Sequence, residues 1–158
     1  MVVRTLVVLR HAKSDWSTGQ PDRDRPLAPR GRRQAPEAGA WLAANLDLPG
    51  LAVVSPAQRT RATWELVSAA LPDDVPVRIE ERVYAATGRE LAEVVASLPP
   101  EVGSVVLVGH NPGVEDLVQD LSGEWVPMKT SALAVLTWEG AWTDAGSARL
   151  VAHGRPPG

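Results

Sequence analysis

The chain has 158 residues, 44% of them hydrophobic and 22% charged, with a formal net charge of −3. That is enough for one domain with a real core, and it excludes a disordered protein. There is no cysteine, which excludes disulfides and thiol chemistry. No apolar run reaches the roughly 18 residues a membrane span needs, and the acidic balance gives nucleic acid no support as a partner.

The apolar N-terminal stretch is short and runs straight into Arg10-His11. It lacks the charged start and small-residue cleavage site of a secretory signal, so we expect a cytoplasmic protein. Charge is uneven along the chain. Residues 1–61 carry ten Lys/Arg against five Asp/Glu, whereas residues 62–158 carry six against fourteen. A basic first half suits an anionic substrate.

Residues 2–9 are apolar and rich in valine, a buried strand. Residues 12–28 are polar, with Asp, Pro and Gly, and read as a loop. Residues 29–46 place Ala35, Ala38, Gly39, Leu42 and Leu46 at helical spacing, with Pro29 suited to the first turn. Residues 51–54 form a second strand ended by Ser55-Pro56. A helix over 57–71 follows, stopped by Pro72, and then a strand over 75–79. A helix over 88–98 ends at Pro99-Pro100. Residues 104–108 are a strand, 112–121 a helix, and 131–138 and 148–152 two late strands around a Gly-rich turn. This alternation predicts a three-layer α/β sandwich: a mostly parallel sheet with helices on both faces. We expect one domain over residues 1–153 and a frayed tail over 154–158.

Sheets of this kind place ligands at the carboxyl ends of their strands. The first strand runs into Arg10-His11, and the strand over 104–108 runs into Gly109-His110-Asn111. The second runs into Ser55-Pro56 and then Arg59 at a helix start. These ends gather Arg10, His11, Arg59 and His110 on one edge. Arginine forks match phosphate oxygens, and a neutral imidazole among them can attack phosphorus. A neutral nucleophile needs its other ring nitrogen held by an acceptor, and no acceptor is identifiable in the sequence. His153, in the tail, is assigned no chemistry, and Arg30, Arg32 and Arg33 read as a solvated helix start. Trp16 lies in the loop after His11, where it can edge a pocket. A site of two histidines and Glu81 around a metal is disfavoured, because two arginines at the same place repel a cation.

Arg10-His11-Ala12 after the first strand resembles the Arg-His-Gly signature of the histidine phosphatase superfamily, which includes the phosphoglycerate mutases. Pro26 to Ala35 resembles the segment that opens that family's first helix. Ser55 to Thr63 is similar to its second arginine block, Glu81 to Tyr84 to the segment with its proton donor, and Gly109 to Pro112 to its second-histidine block. Arg10-His11-Ala12-Lys13-Ser14 and Lys129 to Ala134 resemble the short SixA-type phosphohistidine phosphatases.

The resemblance implies that His11 is the nucleophile and that Arg10, Arg59 and His110 clamp the phosphoryl group. It makes Glu81 the acid and base, with Glu80 the adjacent alternative. Lys13, Ser17, Asn111 and Lys129 are further candidates for the pocket wall. No cofactor and no metal is implied. Three departures stand out. Ala12 replaces the usual glycine, Ser17 replaces an asparagine, and Ala28 replaces a threonine that would cap the helix.

Length bears on the substrate. Mutases of this family carry a lid after the acid residue, but Glu81 and His110 are only 29 positions apart (110 − 81). One helix and one strand use up that span. An open site of this kind favours phosphohistidine on a protein. The alternatives are a small phosphate ester, or a non-catalytic phosphate-binding module.

Overall fold

The computed structural model describes residues 2–157. Its strands are β1 (Val3–Arg10), β2 (Leu51–Val54), β3 (Val77–Ile79), β4 (Ser104–Gly109), β5 (Leu133–Glu139) and β6 (Arg149–Gly154). Its α-helices are α1 (Pro29–Asn45), α2 (Gln58–Ser68), α3 (Gly88–Ala96) and α4 (Gly113–Ser122). The strands form one sheet in the order β3-β2-β4-β1-β5-β6.

The first four strands in that order are parallel, β5 pairs antiparallel with β1, and β6 pairs antiparallel with β5. For the β5–β6 pair the physical reason is connection length. A parallel neighbour needs a crossover of about a dozen residues or more. Only residues 140–148, mostly one 3-10 helix, separate β5 from β6.

Helices cover both faces. Leu6, Val8, Leu51, Val53, Val105 and Leu107 pack on the side of α3 and α4. Their neighbours Val7, Leu9, Ala52, Val54, Val106 and Val108 pack on the side of α1 and α2. With both faces buried, β1, β2 and β4 read as unbroken apolar runs. On the α1 and α2 side the helices touch backbone to backbone. A Cβ on Gly39 would lie 2.4 Å from the carbonyl oxygen of Val67.

Several boundaries differ from expectation. α2 stops at Ser68, and residues 69–71 continue as tight turns, with Ala70 N–H donating to Val67 O and Leu71 N–H to Ser68 O. β3 is three exposed residues at the sheet edge, shorter than the expected 75–79. Pro76, with no N–H to offer a ladder, precedes it. The tail departs from the expected fraying, since Gly154 pairs with Leu133 in β6 and Pro156 is buried. No helix among the described residues is long and apolar enough to cross a membrane.

Pro29 opens α1 as expected, and Ala28 is its N-cap, with φ −74° and ψ 162° but no side-chain hydrogen bond. The geometry of a capping residue is therefore present without its oxygen. Ala28→Ser should raise stability by about 1 kcal/mol, shifting Tm by about 2–4 °C in a domain of this size. Urea and thermal unfolding of the two proteins check this, and an unchanged midpoint would show that the first turn is already satisfied.

Candidate active site

β1 delivers His11 to the edge of the sheet. The His11 N–H donates to Gly109 O at 3.1 Å, and its carbonyl accepts from the Ser131 N–H at 3.0 Å. The ring is buried, with Nδ1 2.7 Å from the carbonyl oxygen of Ala12. A carbonyl can only accept, so Nδ1 carries the proton and Nε2 keeps its lone pair. Ala12 O is thus the acceptor that the sequence could not identify. Burial pushes the His11 pKa down to about 3, against the Ala12 bond and with help from His110, Arg59 and Arg10. At neutral pH the ring is uncharged, with a lone pair on Nε2.

The loop after His11 is held by both helices on that face. Ala12 N–H donates to Thr63 Oγ1 of α2 at 2.9 Å. Lys13 O accepts from Ala28 N–H at 2.9 Å, and Lys13 N–H donates to Gln34 of α1 at 3.0 Å. Gly31 lets α1 approach this closely, since a Cβ there would stand 2.1 Å from Lys13 O.

β4 delivers His110, whose ring centroid lies 5.3 Å from that of His11. Its Nε2 is 2.7 Å from Ser55 Oγ, at the end of β2. Burial first, and then Arg59, lower its pKa to about 4, with Asp22 opposing. Arg10 points a guanidinium nitrogen at Met128 O (3.0 Å), which also accepts from Asn111 Nδ2 (2.8 Å).

The polar loop folds back to supply more of the site. Asp15 N–H donates to Pro26 O at 2.9 Å, and Ser14 bridges Leu27. This closure brings Asp22 and Arg25 in beside Arg59. Asp22 accepts from Tyr84 Oη (2.5 Å), Arg59 Nη2 (3.1 Å) and Arg25 Nε (3.2 Å). The Tyr84 bond foremost, and the arginines after it, hold the Asp22 pKa near 2, against a desolvation cost. Arg25 is buried, donates to Ser14 Oγ at 2.7 Å, and stacks 3.6 Å from the centroid of Trp16.

These groups line a cavity of about 210 Å³. Its charged lining is Arg10, Lys13, Arg25 and Arg59 against the single carboxylate of Asp22, an excess of cations suited to a phosphate dianion. Larger grooves exist, about 500 Å³ beside β3 and about 900 Å³ at the edge near Val3 and Ser104, and no histidine lines either.

The structure brings together His11, Arg10, Arg59, His110, Lys13 and Asn111 around this cavity, with Trp16 at its wall. Four candidates stand outside its lining, Glu80 among them as the alternative to Glu81. Ser17 turns its N–H and hydroxyl to Asp15 at 2.8 and 2.6 Å. Lys129 is exposed, while its neighbour Thr130 lines the cavity. The Glu81 side chain is 70% exposed and pairs with Arg23 at 3.1 Å, and Glu80 pairs with Arg82 at 2.9 Å. The 3-10 turn Glu81–Val83 buries Val83, leaving both carboxylates to surface arginines. Among the described residues, no three His, Cys, Asp or Glu side chains gather as a metal site requires.

Sequence reading missed Asp22, Arg25, Ser55 and Tyr84. The signal for Asp22 and Arg25 was the charge cluster Asp22-Arg23-Asp24-Arg25, and Ser55 and Tyr84 were visible only as ends of the segments that resemble family blocks.

The buried histidine has a consequence for stability. The unfolded chain protonates this ring near pH 6.5, the folded protein only near 3. The His11 contribution is therefore complete above pH 6.5 and falls as pH drops toward 3, by up to about 1.4 kcal/mol per pH unit. Urea unfolding at pH 7 and pH 4.5 should show a loss of stability that shrinks in His11→Asn, which cannot titrate. An equal loss in both proteins would remove His11 as its source.

Comparison with known proteins agrees with this geometry. The histidine phosphatase superfamily (branch 1) profile matches residues 6–111, a span holding both histidines. An uncharacterised protein of Mycobacterium tuberculosis, Rv1276c, is 37% identical over 158 aligned residues, covering 90% of this chain and 96% of that one. The structure of the SixA protein from Nakamurella multipartitia superposes with TM-score 0.84 at 31% identity, over 100% of this chain and 99% of the other. The protein histidine phosphatase SixA in its tungstate complex gives TM-score 0.84 at 25% identity, over 96% and 97%. With the paired histidines and converging arginines in place, this chain belongs to the histidine phosphatase superfamily, as a SixA-type phosphatase.

Proposed function

We propose that the protein removes phosphate from phosphohistidine on a protein substrate, through a covalent phosphohistidine on His11. One observation carries the chemistry. His11 is neutral, its Nδ1–H is tied to Ala12 O, and it lines a cavity with four cations. Its Nε2 lone pair needs no base, and unlike Nε2 of His110 it is not held by a serine hydroxyl.

In the first step Nε2 attacks phosphorus in line. The Nε2–P bond forms as the bond from phosphorus to the leaving nitrogen breaks, and the leaving imidazole takes up a proton. Arg10, Arg59 and His110 face the charge spread over the equatorial oxygens. In the second step a water oxygen bonds phosphorus, the Nε2–P electron pair returns to His11, and the proton of the water is released. Glu81 is the proposed proton carrier. Its exposed pair with Arg23 is weak enough to break when substrate arrives.

The open rim supports a protein as substrate. Between Glu81 and His110 the chain forms only a 3-10 turn, α3 and β4, with nothing inserted over the cavity. Trp16, on the cavity wall, is 72% exposed. A side chain projecting from another protein's surface can reach such a site.

Phosphate release from a histidine-phosphorylated carrier protein, measured with EDTA present, tests the reading. Native protein should release phosphate and His11→Ala should not. Release from an aryl phosphate alone, still dependent on His11, would keep the chemistry and move the substrate to small esters. Binding of phosphate without any release would make the protein a phosphate-binding module. A second comparison addresses the proton. Glu81→Gln should lower kcat on an alkyl phosphate by about a hundredfold, the lower range for general acid catalysis, and by less on phosphohistidine. Equal and small effects on both would remove Glu81 from the mechanism.

A further inference from the structure

We propose that Ser55 is a positioning residue that holds His110 in its Nδ1–H form, so that His110 offers the phosphoryl group a proton donor where His11 offers a lone pair. The purpose given to that donor rests on the phosphatase reading. The tautomer itself does not.

Ser55 stands one residue past β2 and is fully buried (0% exposed). Its N–H donates to Val108 O at 3.2 Å, extending the ladder toward β4. Its carbonyl accepts from Thr60 Oγ1 at 2.8 Å. Its hydroxyl oxygen accepts from the Ala57 N–H at 3.3 Å and lies 2.7 Å from His110 Nε2. A hydroxyl has one proton to give and two lone pairs to fill. The Ala57 N–H occupies one lone pair. Among the described residues, His110 Nε2 is the one acceptor within hydrogen-bond reach of the Ser55 proton.

Two arrangements are conceivable, and they differ in cost. If Ser55 donates to Nε2, the hydroxyl is satisfied and the ring proton sits on Nδ1. If Nε2–H donates to Ser55, the buried hydroxyl proton has no acceptor. Nδ1 then becomes a buried lone pair in a site built for an anion. A buried donor without a partner loses its hydration with no return, so the first arrangement prevails.

The orphaned nitrogens of the site point the same way, while the orphaned oxygens, Asn111 Oδ1 and Ser131 Oγ, stand outside that set. Among the described residues, three buried side-chain nitrogens lack a hydrogen-bond partner: Arg10 Nε, Arg59 Nε and His110 Nδ1. All three residues line the cavity. The two arginine nitrogens are obligate donors. With the tautomer imposed by Ser55, His110 Nδ1–H becomes the third donor of one set, matched to the oxygens of a phosphoryl group. The lowered pKa of His110 agrees with a neutral ring. Two neutral imidazoles thus acquire opposite roles from different partners. A carbonyl acceptor frees the lone pair of His11, and a hydroxyl donor frees the N–H of His110.

Protein carrying 15N-labelled histidine, without phosphate at pH 7, reports the tautomer directly through its ring nitrogen shifts. Native His110 should show a protonated Nδ1 and an unprotonated Nε2. In Ser55→Ala the Nε2–H form should appear, the His11 pattern should stay unchanged, and the Kd for inorganic phosphate should rise about tenfold, the size of one good hydrogen bond. A native His110 protonated on Nε2 would overturn the proposal. So would a Ser55→Ala protein whose His110 tautomer and phosphate affinity both match the native ones. The native spectrum decides the tautomer even if Ser55→Ala does not fold. Failure of the native protein to release phosphate would count against the phosphatase reading alone.

Discussion

The register of three parallel strands is the constraint on which this site depends. Arg10 lies opposite Gly109 across β1 and β4, and Val54 lies opposite Val108 across β2 and β4. The next residue along each chain is therefore His11, His110 or Ser55. Two of these continue the ladder past the strand ends, through His11 N–H to Gly109 O and Ser55 N–H to Val108 O. A slip of one residue would send every side chain of a strand to the other face. Both faces of these strands are packed against helices, so such a slip would exchange one buried set for another of different shape. Packing on the two faces is what holds the histidines in place at the edge.

Electrostatics then makes use of that placement. The same burial that stabilises the sheet edge removes water from both imidazoles and keeps them uncharged. The guanidiniums around them cannot lose their charge in this way. On the proposed reading the outcome is a division of labour: neutral rings for attack and donation, fixed cations for charge. Asp22 completes the arrangement. Its carboxylate joins Arg25, Arg59 and Tyr84, so the arginine forks are held in position by an internal counterion. Preorganisation of this kind spares the reaction the cost of reorienting dipoles as charge develops.

Access follows from what the chain leaves out. The stretch from Glu81 to His110 is consumed by structural elements, and the aromatic side chain at the cavity wall, Trp16, faces solvent while resting on Arg25. Depth of burial for the reacting groups and openness of the rim therefore coexist. On the proposed reading, substrate shape is limited by the cavity close to phosphorus and hardly at all beyond it.

The order of strands and helices, the apolar strands and the residues at their carboxyl ends were legible in the sequence. These are local properties: periodicity, a proline at a helix start, a histidine after a run of valines. They sufficed to place Arg10, His11, Arg59 and His110 together, because a parallel sheet aligns its strand ends wherever the chain wanders between them. What only the tertiary structure decided depends on contacts between distant segments. The loop over residues 12–28 carries no periodic signal, so its closure and the arrival of Asp22 and Arg25 beside Arg59 come from packing alone. The direction of the Glu81 side chain is set by the buried Val83 and by Arg23, 58 positions away. Ser55 was visible only as the end of a strand and the start of the second arginine block. Its hydroxyl acquires a partner because β4 lies beside β2, which brings in His110 from 55 positions along the chain.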